Sequence, residues 1–247
     1  FVKDFYNLSF PDAVVLLLGG EQGIEYIPAK KKRQEEPKPF KLPDAHSDMR
    51  RVYAYLVKTR KIDRDVVSFF AREKLLYESC EKSKDGSKKY HNAVFVGLDE
   101  NGIPRHAHKR GLYTEGISFK GNVDGCNPAY SFHYVGSSDR LYIFEAPIDL
   151  LSYISLHQEK WQQHSYVALC GVGSQAMMKI LELNPHLKEV ALCLDNDEAG
   201  HMASERLKNQ LAESGYRCCL LMSRGKDWND DLINNQQVQS GFEMKMV

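Results

Sequence analysis

Four short apolar runs mark the second half of the chain, at residues 141–144, 166–169, 190–194 and 218–222. None alternates apolar with polar positions, the pattern of strands buried on both faces. Helical patterns separate them. Pro147 suits a first helical position, and a second helix is expected from about Ser174. Residues 198–214 place Ala199, Met202, Ala203, Leu207 and Leu211 on one face and end at Gly215. This alternation predicts an α/β domain over 139–247, a mostly parallel sheet flanked by helices.

The first half reads differently. Residues 1–20 hold one helix, with Ser9 as its cap, Asp12 three residues on, and Gly19-Gly20 as its stop. Residues 29–46 contain Lys30-Lys31-Lys32-Arg33 and Pro37-Lys38-Pro39, have little to bury, and read as a linker. From 47 to 79 the period is helical, with one stripe at Val52, Tyr55 and Leu56 and another at Val66, Phe69, Phe70 and Leu75. Between 92 and 134 the strand Ala93-Val94-Phe95-Val96, the turn Asp99-Glu100-Asn101-Gly102 and recurrent glycines predict a small β-rich unit. The expected division is a helical tail (1–28), a linker (29–46), a smaller α+β domain (47–138) and the α/β domain (139–247).

Composition agrees with a globular protein, with 43% hydrophobic and 27% charged residues in 247. No apolar run approaches the ~20 residues of a membrane span, and no secretory signal is visible. Phe1 is not a natural start, so the chain is expected to be part of a longer one. No two of the six cysteines have zinc-knuckle spacing. Cys170, Cys193 and the Cys218-Cys219 pair lie in apolar runs, where buried free thiols are expected, pointing to a reducing, cytoplasmic setting.

Net charge is zero, but it is divided. Residues 1–140 carry 24 Lys and Arg against 19 Asp and Glu, and residues 141–247 carry 9 against 14. A basic half beside an acidic half suits a polyanion held next to a cation.

The acids of the second half concentrate where α/β sheets bind ligands, beyond the strand ends. Glu145 and Asp149 follow the first run, Asp195, Asp197 and Glu198 the third, and Asp227, Asp230 and Asp231 the fourth. Crowded carboxylates repel one another, and a hard divalent cation relieves that cost. The competing reading is helix capping, which accounts for Glu198 and Asp149 better than for Asp195 and Asp197. No His or Cys accompanies these acids, so they do not predict zinc. Other features carry less. Gly171-Val172-Gly173 reads as a tight turn lining the site, His106 and His108 as surface histidines, and Tyr130, Phe132 and Tyr134 as one packed face of a sheet.

These acids resemble the motifs of Toprim domains, the catalytic fold shared by bacterial primases, type IA and type II topoisomerases and some nucleases. Glu145 and Asp149 match the Glu and the Asp four residues later of the first motif, with Ala146 where primases usually have Gly. Asp195-Asn196-Asp197-Glu198-Ala199-Gly200 matches the second motif, and Lys226-Asp227-Trp228-Asn229-Asp230 resembles the late Lys-Asp motif of primases. Upstream, residues 1–20 resemble the tail of the zinc-binding domain that opens primases, whose zinc ligands would precede Phe1. Residues 50–135 resemble an uncharacterised domain that joins it to Toprim in primase-like proteins of bacterial mobile elements, through Asn92-Ala93-Val94-Phe95, the turn at Asp99 and Arg110-Gly111.

The resemblance implies a primase-like nucleotidyltransferase acting on single-stranded DNA with nucleoside triphosphates, beside a helicase or relaxase of a mobile element. Asp195, Asp197 and Asp227 would hold Mg²⁺ or Mn²⁺. Glu145 and Asp149 would be catalytic, and Lys226, Arg110 and Gly171 would contact nucleotide or nucleic acid. A Toprim nuclease and a non-catalytic nucleic-acid-binding module are the alternatives.

Overall fold

The structure is a computed structural model that describes residues 10–17, 39–83, 85–113, 119–171 and 173–243. The expected cap at Ser9, the stop at Gly19-Gly20, the basic run Lys30-Lys31-Lys32-Arg33, Val172 and most of the zinc-domain-like tail lie outside those residues. The chain divides into two compact units, 1–38 and 39–247. Within the first, α1 (Phe10–Leu17) is the one described element.

The second unit opens on residues 39–46, read from composition as part of a linker. They pack instead as an extended segment against a sheet. Ala45 bridges Ser79, the Tyr77 hydroxyl donates to the Pro43 carbonyl at 2.7 Å, and Phe40 and Leu42 cover Val94, Val96 and Ala107. Two helices follow, α2 (Arg50–Tyr53, continued by a π-helical turn over Ala54–Thr59) and α3 (Arg64–Arg72). Asp63 caps α3 by accepting from the Asp65 and Val66 amides. The helical pattern expected to 79 stops early. Lys74 adopts φ +58°, turning the chain into β1 (Leu76–Lys82). Long-range pairing, Leu76 to Phe95 onward, overrides the local period there. β1 begins an antiparallel meander with β2 (Lys89–Leu98), β3 (Pro104–Gly111) and β4 (Lys120–Asn122).

The remaining elements are β5 (His133–Tyr134), β6 (Arg140–Phe144), α4 (Pro147–Leu156), β7 (Ser165–Ala168), α5 (Gln175–Leu183), β8 (Glu189–Leu192), α6 (Glu198–Glu213), β9 (Arg217–Leu220) and α7 (Trp228–Glu243). Their strands form one sheet in the order β5-β7-β6-β8-β9, parallel except for β5. Both faces of the inner strands β6, β7 and β8 are buried, as the absence of alternation predicts, whereas β9 is largely exposed. Leu141, Ile143, Val190 and Leu192 pack with Met177, Ile180, Leu207 and Leu211 of α5 and α6. Tyr142, Phe144 and Ala191 face the other way, toward Leu150, Leu151, Trp228 and Leu232 of α4 and α7.

That second face is also where the two parts of the unit join. Val52, Leu56, Val67 and Phe70 of the early helices belong to the same core as Phe144, Leu151 and Trp228. Phe70 is fully buried, stacks on Trp161 at 5.8 Å and meets Phe132 at 5.2 Å. Three expected burials fail, each for a positional reason. Met202 is 70% exposed and Ala199 is exposed, because α6 turns only Leu207, Leu211 and Gly200 fully inward. Cys219 is exposed because β9 is the edge strand.

Candidate functional site

β6 lies inside the sheet. The chain leaves it for β7 on one side and returns to β8 on the other, so a crevice opens at the carboxyl ends of β6 and β8. Glu145 directly follows β6, Asp149 stands in the first turn of α4, Asp195 follows β8 by three residues, and Asp227 immediately precedes α7. The Asp195 amide donates to Glu145 Oε1 at 3.4 Å. Gly200 permits this approach, because a Cβ there would overlap the Asp195 carbonyl oxygen and lie 3.1 Å from Glu145 Oε1.

The acids are poorly solvated and crowd one another. Burial, reinforced by Glu145, Asp227 and Asp197, pushes the Asp195 carboxyl up to about 7. Glu145 is raised by burial and by Asp197, against lowering from the Asp195 amide, Lys120 and Lys226. Asp149, nearly fully buried, is raised well above the ordinary range by burial and by Asp227 and Asp195. Asp195 Oδ1 is buried with no hydrogen-bond partner among the described residues. An orphaned carboxylate oxygen among acids with raised affinity for protons fits a hard, oxygen-seeking divalent cation.

The cleft measures about 560 Å³ and is also lined by Lys226, Gly171 and three cations from the first part of the unit, Arg60, Arg110 and Lys120. The Tyr55 hydroxyl accepts from Arg60 Nε at 2.9 Å and from Arg110 Nε at 3.2 Å. Asn229 ties Arg60 to the acids. Its Oδ1 accepts from Arg60 Nη1 at 3.1 Å, its Nδ2 donates to the Arg60 carbonyl and to Ser152 Oγ, and its amide donates to Asp149 Oδ1 at 3.3 Å. Asn196 ties the second and third motif loops together. Its amide donates to the Lys226 carbonyl at 2.7 Å, and its Nδ2 to the Ser223 and Gly225 carbonyls.

Of the expected site residues, Glu145, Asp149, Asp195, Asp227, Lys226, Arg110 and Gly171 line this one cleft. Asp197 does not line it. Its Oδ1 caps α6 by accepting from the Gly200 amide at 3.0 Å, the capping role that its sequence position seemed to fit less well. Asp227 also caps, accepting from the Asp230 amide at 2.8 Å. Glu198 and Asp230 are exposed, and Asp231 accepts from the Arg224 and Gly225 amides, shaping the loop. Ala146 sits at φ −129°, ψ 154°, extended backbone that needs no glycine, so its departure from the primase pattern costs no strain. His106 and His108, expected at the surface, are buried. His108 bonds Asn122 Oδ1 at 2.8 Å and lines the cleft, whereas neither nitrogen of His106 has a partner among the described residues. Arg60, Lys120 and Asn196 were not expected. Asn229 and Asn196 stand inside quoted motifs, but Arg60 and Lys120 have no local signal.

A protein-family profile described as Toprim-like matches residues 142–232. This part of the chain is a Toprim-like domain. A second profile, described as Protein of unknown function (DUF3991), matches residues 54–138 ahead of the Toprim-like domain. An uncharacterized protein of Bacillus anthracis is 29% identical over 221 residues, 84% of this chain and 61% of its own length. One of Mycoplasma pneumoniae is 30% identical over 104 residues, 41% of this chain and 46% of its own. The chain therefore spans about half to three-fifths of the curated relatives it matches.

Among solved structures, the primase fragment of the bacteriophage T7 primase-helicase is similar with a TM-score of 0.52 at 19% identity, over 72% of this chain and 69% of that one. The E. coli primase catalytic core gives 0.52 at 15%, over 80% and 72%. T7 primase domains described as bound to an RNA/DNA hybrid and dTTP, with the lagging-strand DNA polymerase, give 0.50 at 18%, over 72% and 84%. At these identities the likeness is one of fold. Among the described residues no helix is long and apolar enough to cross a membrane.

Proposed function

We propose that this cleft is the catalytic site of a primase-like nucleotidyltransferase that joins nucleoside triphosphates on a single-stranded DNA template. One observation carries the reading. Four acids, one with an orphaned oxygen, share a single cleft with Arg60, Arg110, Lys120 and Lys226. Such a site suits a triphosphate, whose charge the cations offset while the acids hold a divalent ion.

Asp195, through Oδ1, would be a direct ligand of Mg²⁺ or Mn²⁺, with Asp227 beside it and Asp197 contributing charge while it caps α6. When bound, the ion supplies charge stabilisation at the transferring phosphoryl group. Glu145, with its raised carboxyl, would take the proton of an attacking 3′-hydroxyl. Asp149 is a positioning residue, since its carboxylate is buried against the Asn229 amide. Arg60, Arg110 and Lys120 would bind phosphates, and the Gly171 turn would admit the nucleotide closely. The fold likeness to T7 primase domains described as bound to an RNA/DNA hybrid and dTTP supports this substrate class. The same reading sets the protein in the cytoplasm, serving a mobile element beside its helicase or relaxase.

The test is template-dependent synthesis of labelled oligonucleotides with Mg²⁺, comparing wild type with Asp195→Ala and Glu145→Gln. The proposal expects product from wild type and a loss of at least about 100-fold in both variants, the scale of removing a general base. Equal yields from wild type and Asp195→Ala would overturn it. Shortening of labelled single strands without added nucleotides would favour the nuclease alternative.

A further inference from the structure

A second cluster of metal-ligating side chains lies outside the acidic cleft. Glu78 stands on β1, fully buried, and His91 on the paired strand β2, 7% exposed. The register sets Cys80 opposite His91, so Glu78 and His91 are diagonal neighbours on one face. His46 joins them from the extended segment, held there by the Ala45–Ser79 bridge and by its own amide, which donates to the Glu78 carbonyl at 2.7 Å. One potential ligand atom from each of the three side chains lies within 4.8 Å of the others.

The carboxylate is aimed. Glu78 Oε2 accepts the Arg51 and Val52 amides at the start of α2, at 3.2 and 3.3 Å. Oε1 is thereby turned to the imidazoles, 2.7 Å from His91 Nδ1 and 3.9 Å from His46 Nδ1. The two rings meet edge to face at 5.2 Å. On its far side His91 Nε2 contacts Cys80 Sγ at 3.4 Å. Two histidines and a glutamate, with outer contacts that fix the carboxylate and one ring, are the ligand chemistry of an open zinc site. Bonds of about 2.0–2.2 Å in a tetrahedron set such ligand atoms roughly 3.3–3.6 Å apart, so binding would widen the 2.7 Å spacing and close the 3.9 Å one, each by about half an ångström. The His46 side chain is 25% exposed, which leaves an entry path and room for a water ligand. The competing cation is the Arg51 guanidinium, 3.7 Å from Oε1. Its side chain is 57% exposed and free to withdraw.

We infer that His46, Glu78 and His91 bind one zinc-class divalent cation, Zn²⁺ itself or Co²⁺ in its place, separate from the acidic cleft and independent of the function proposed for it. The sequence reading assigned zinc only to a region before Phe1. This site is internal, and its ion would pin the extended segment to the meander.

The full chain, stripped with a chelator, is dialysed against Zn²⁺ and assayed for bound metal, and is separately titrated with Co²⁺ in the visible range. Wild type is expected to retain one more equivalent of zinc than His46→Ala. The variant's affinity at the site should fall by more than the roughly 10–100-fold that losing an outer contact costs. His46 is peripheral, so His46→Ala should keep the wild-type circular dichroism spectrum. His91→Ala provides the second loss, and Asp195→Asn should retain the zinc. Excess Mg²⁺ should not displace it, and Co²⁺ should give visible bands without thiolate charge transfer. Equal zinc retention by wild type and His46→Ala overturns the inference, as does a thiolate band that assigns the ion to cysteine.

Discussion

Asp195 offers a direct test of whether the acidic cleft is built for a cation. Its carboxyl is raised from the ordinary 3.8 to about 7, first by burial and then by Glu145, Asp227 and Asp197. The sign follows from linkage. The folded state holds this proton more tightly than the unfolded state, so ionising Asp195 costs stability as pH rises above 3.8, with the full cost present above 7. That interval corresponds to roughly 4 kcal/mol at 1.36 kcal/mol per pH unit, and screening at a half-buried group reduces it to about 2. Asp195→Asn keeps the shape and removes the charge. In chelator at pH 8 it should therefore be more stable than wild type by about 2 kcal/mol, a rise of roughly 4–8 °C in Tm for a unit of this size. At pH 5 the gain should shrink to about a third. Mg²⁺ should reverse the order, because a ligand at 100 times its Kd adds about 2.7 kcal/mol to wild type and little to a variant lacking its ligand oxygen. Urea denaturation at the two pH values, with chelator and with Mg²⁺, measures all four terms. An Asp195→Asn protein less stable than wild type in chelator at pH 8, or one equally stabilised by Mg²⁺, would refute the reasoning.

Three further outcomes follow from the packing. Gly200→Ala should cost about 1–3 kcal/mol and abolish the Mg²⁺-dependent rise in Tm, because the new methyl displaces the Asp195 carbonyl; calorimetry with Mg²⁺ checks the second part. Phe70→Ala should cost about 3–5 kcal/mol and shift one cooperative urea transition for residues 39–247; separate midpoints for meander and parallel sheet would contradict a shared core. Burial holds the His106 imidazole down to about 4 against an ordinary 6.5, so the unfolded state takes up its proton first and wild type loses up to about 3 kcal/mol as pH falls from 6.5 to 4. His106→Leu should flatten that slope in denaturation curves taken across the same range.

Much of the Toprim-like domain was legible because buried parallel strands leave continuous apolar runs, and the residue after each run must stand at the strand's end. Glu145 and Asp195 needed no more than that. The capping role of Asp197 was underweighted because a side chain that follows a strand and precedes a helix can serve either neighbour; its Oδ1 accepts from the Gly200 amide. His106 and His108 were misplaced because alternation names a shared face without saying whether anything covers it. The segment 39–46 looked like a tether because its composition is polar and proline-rich, yet a few apolar side chains, Phe40 and Leu42, suffice to dock it.

The sequence by itself determined four strands and three helices of the second half, though not α7, together with the acids at the strand ends and the likeness to Toprim, since each of these is written in residues close together along the chain. Only the tertiary structure decided that β6 lies beside β8, which brings Glu145 to the Asp195 amide across fifty positions. It likewise decided that Arg60, Arg110 and Lys120 line the acids' cleft, and that His46, Glu78 and His91 converge. Strand order and domain packing bring these groups together, and neither leaves a period in the sequence.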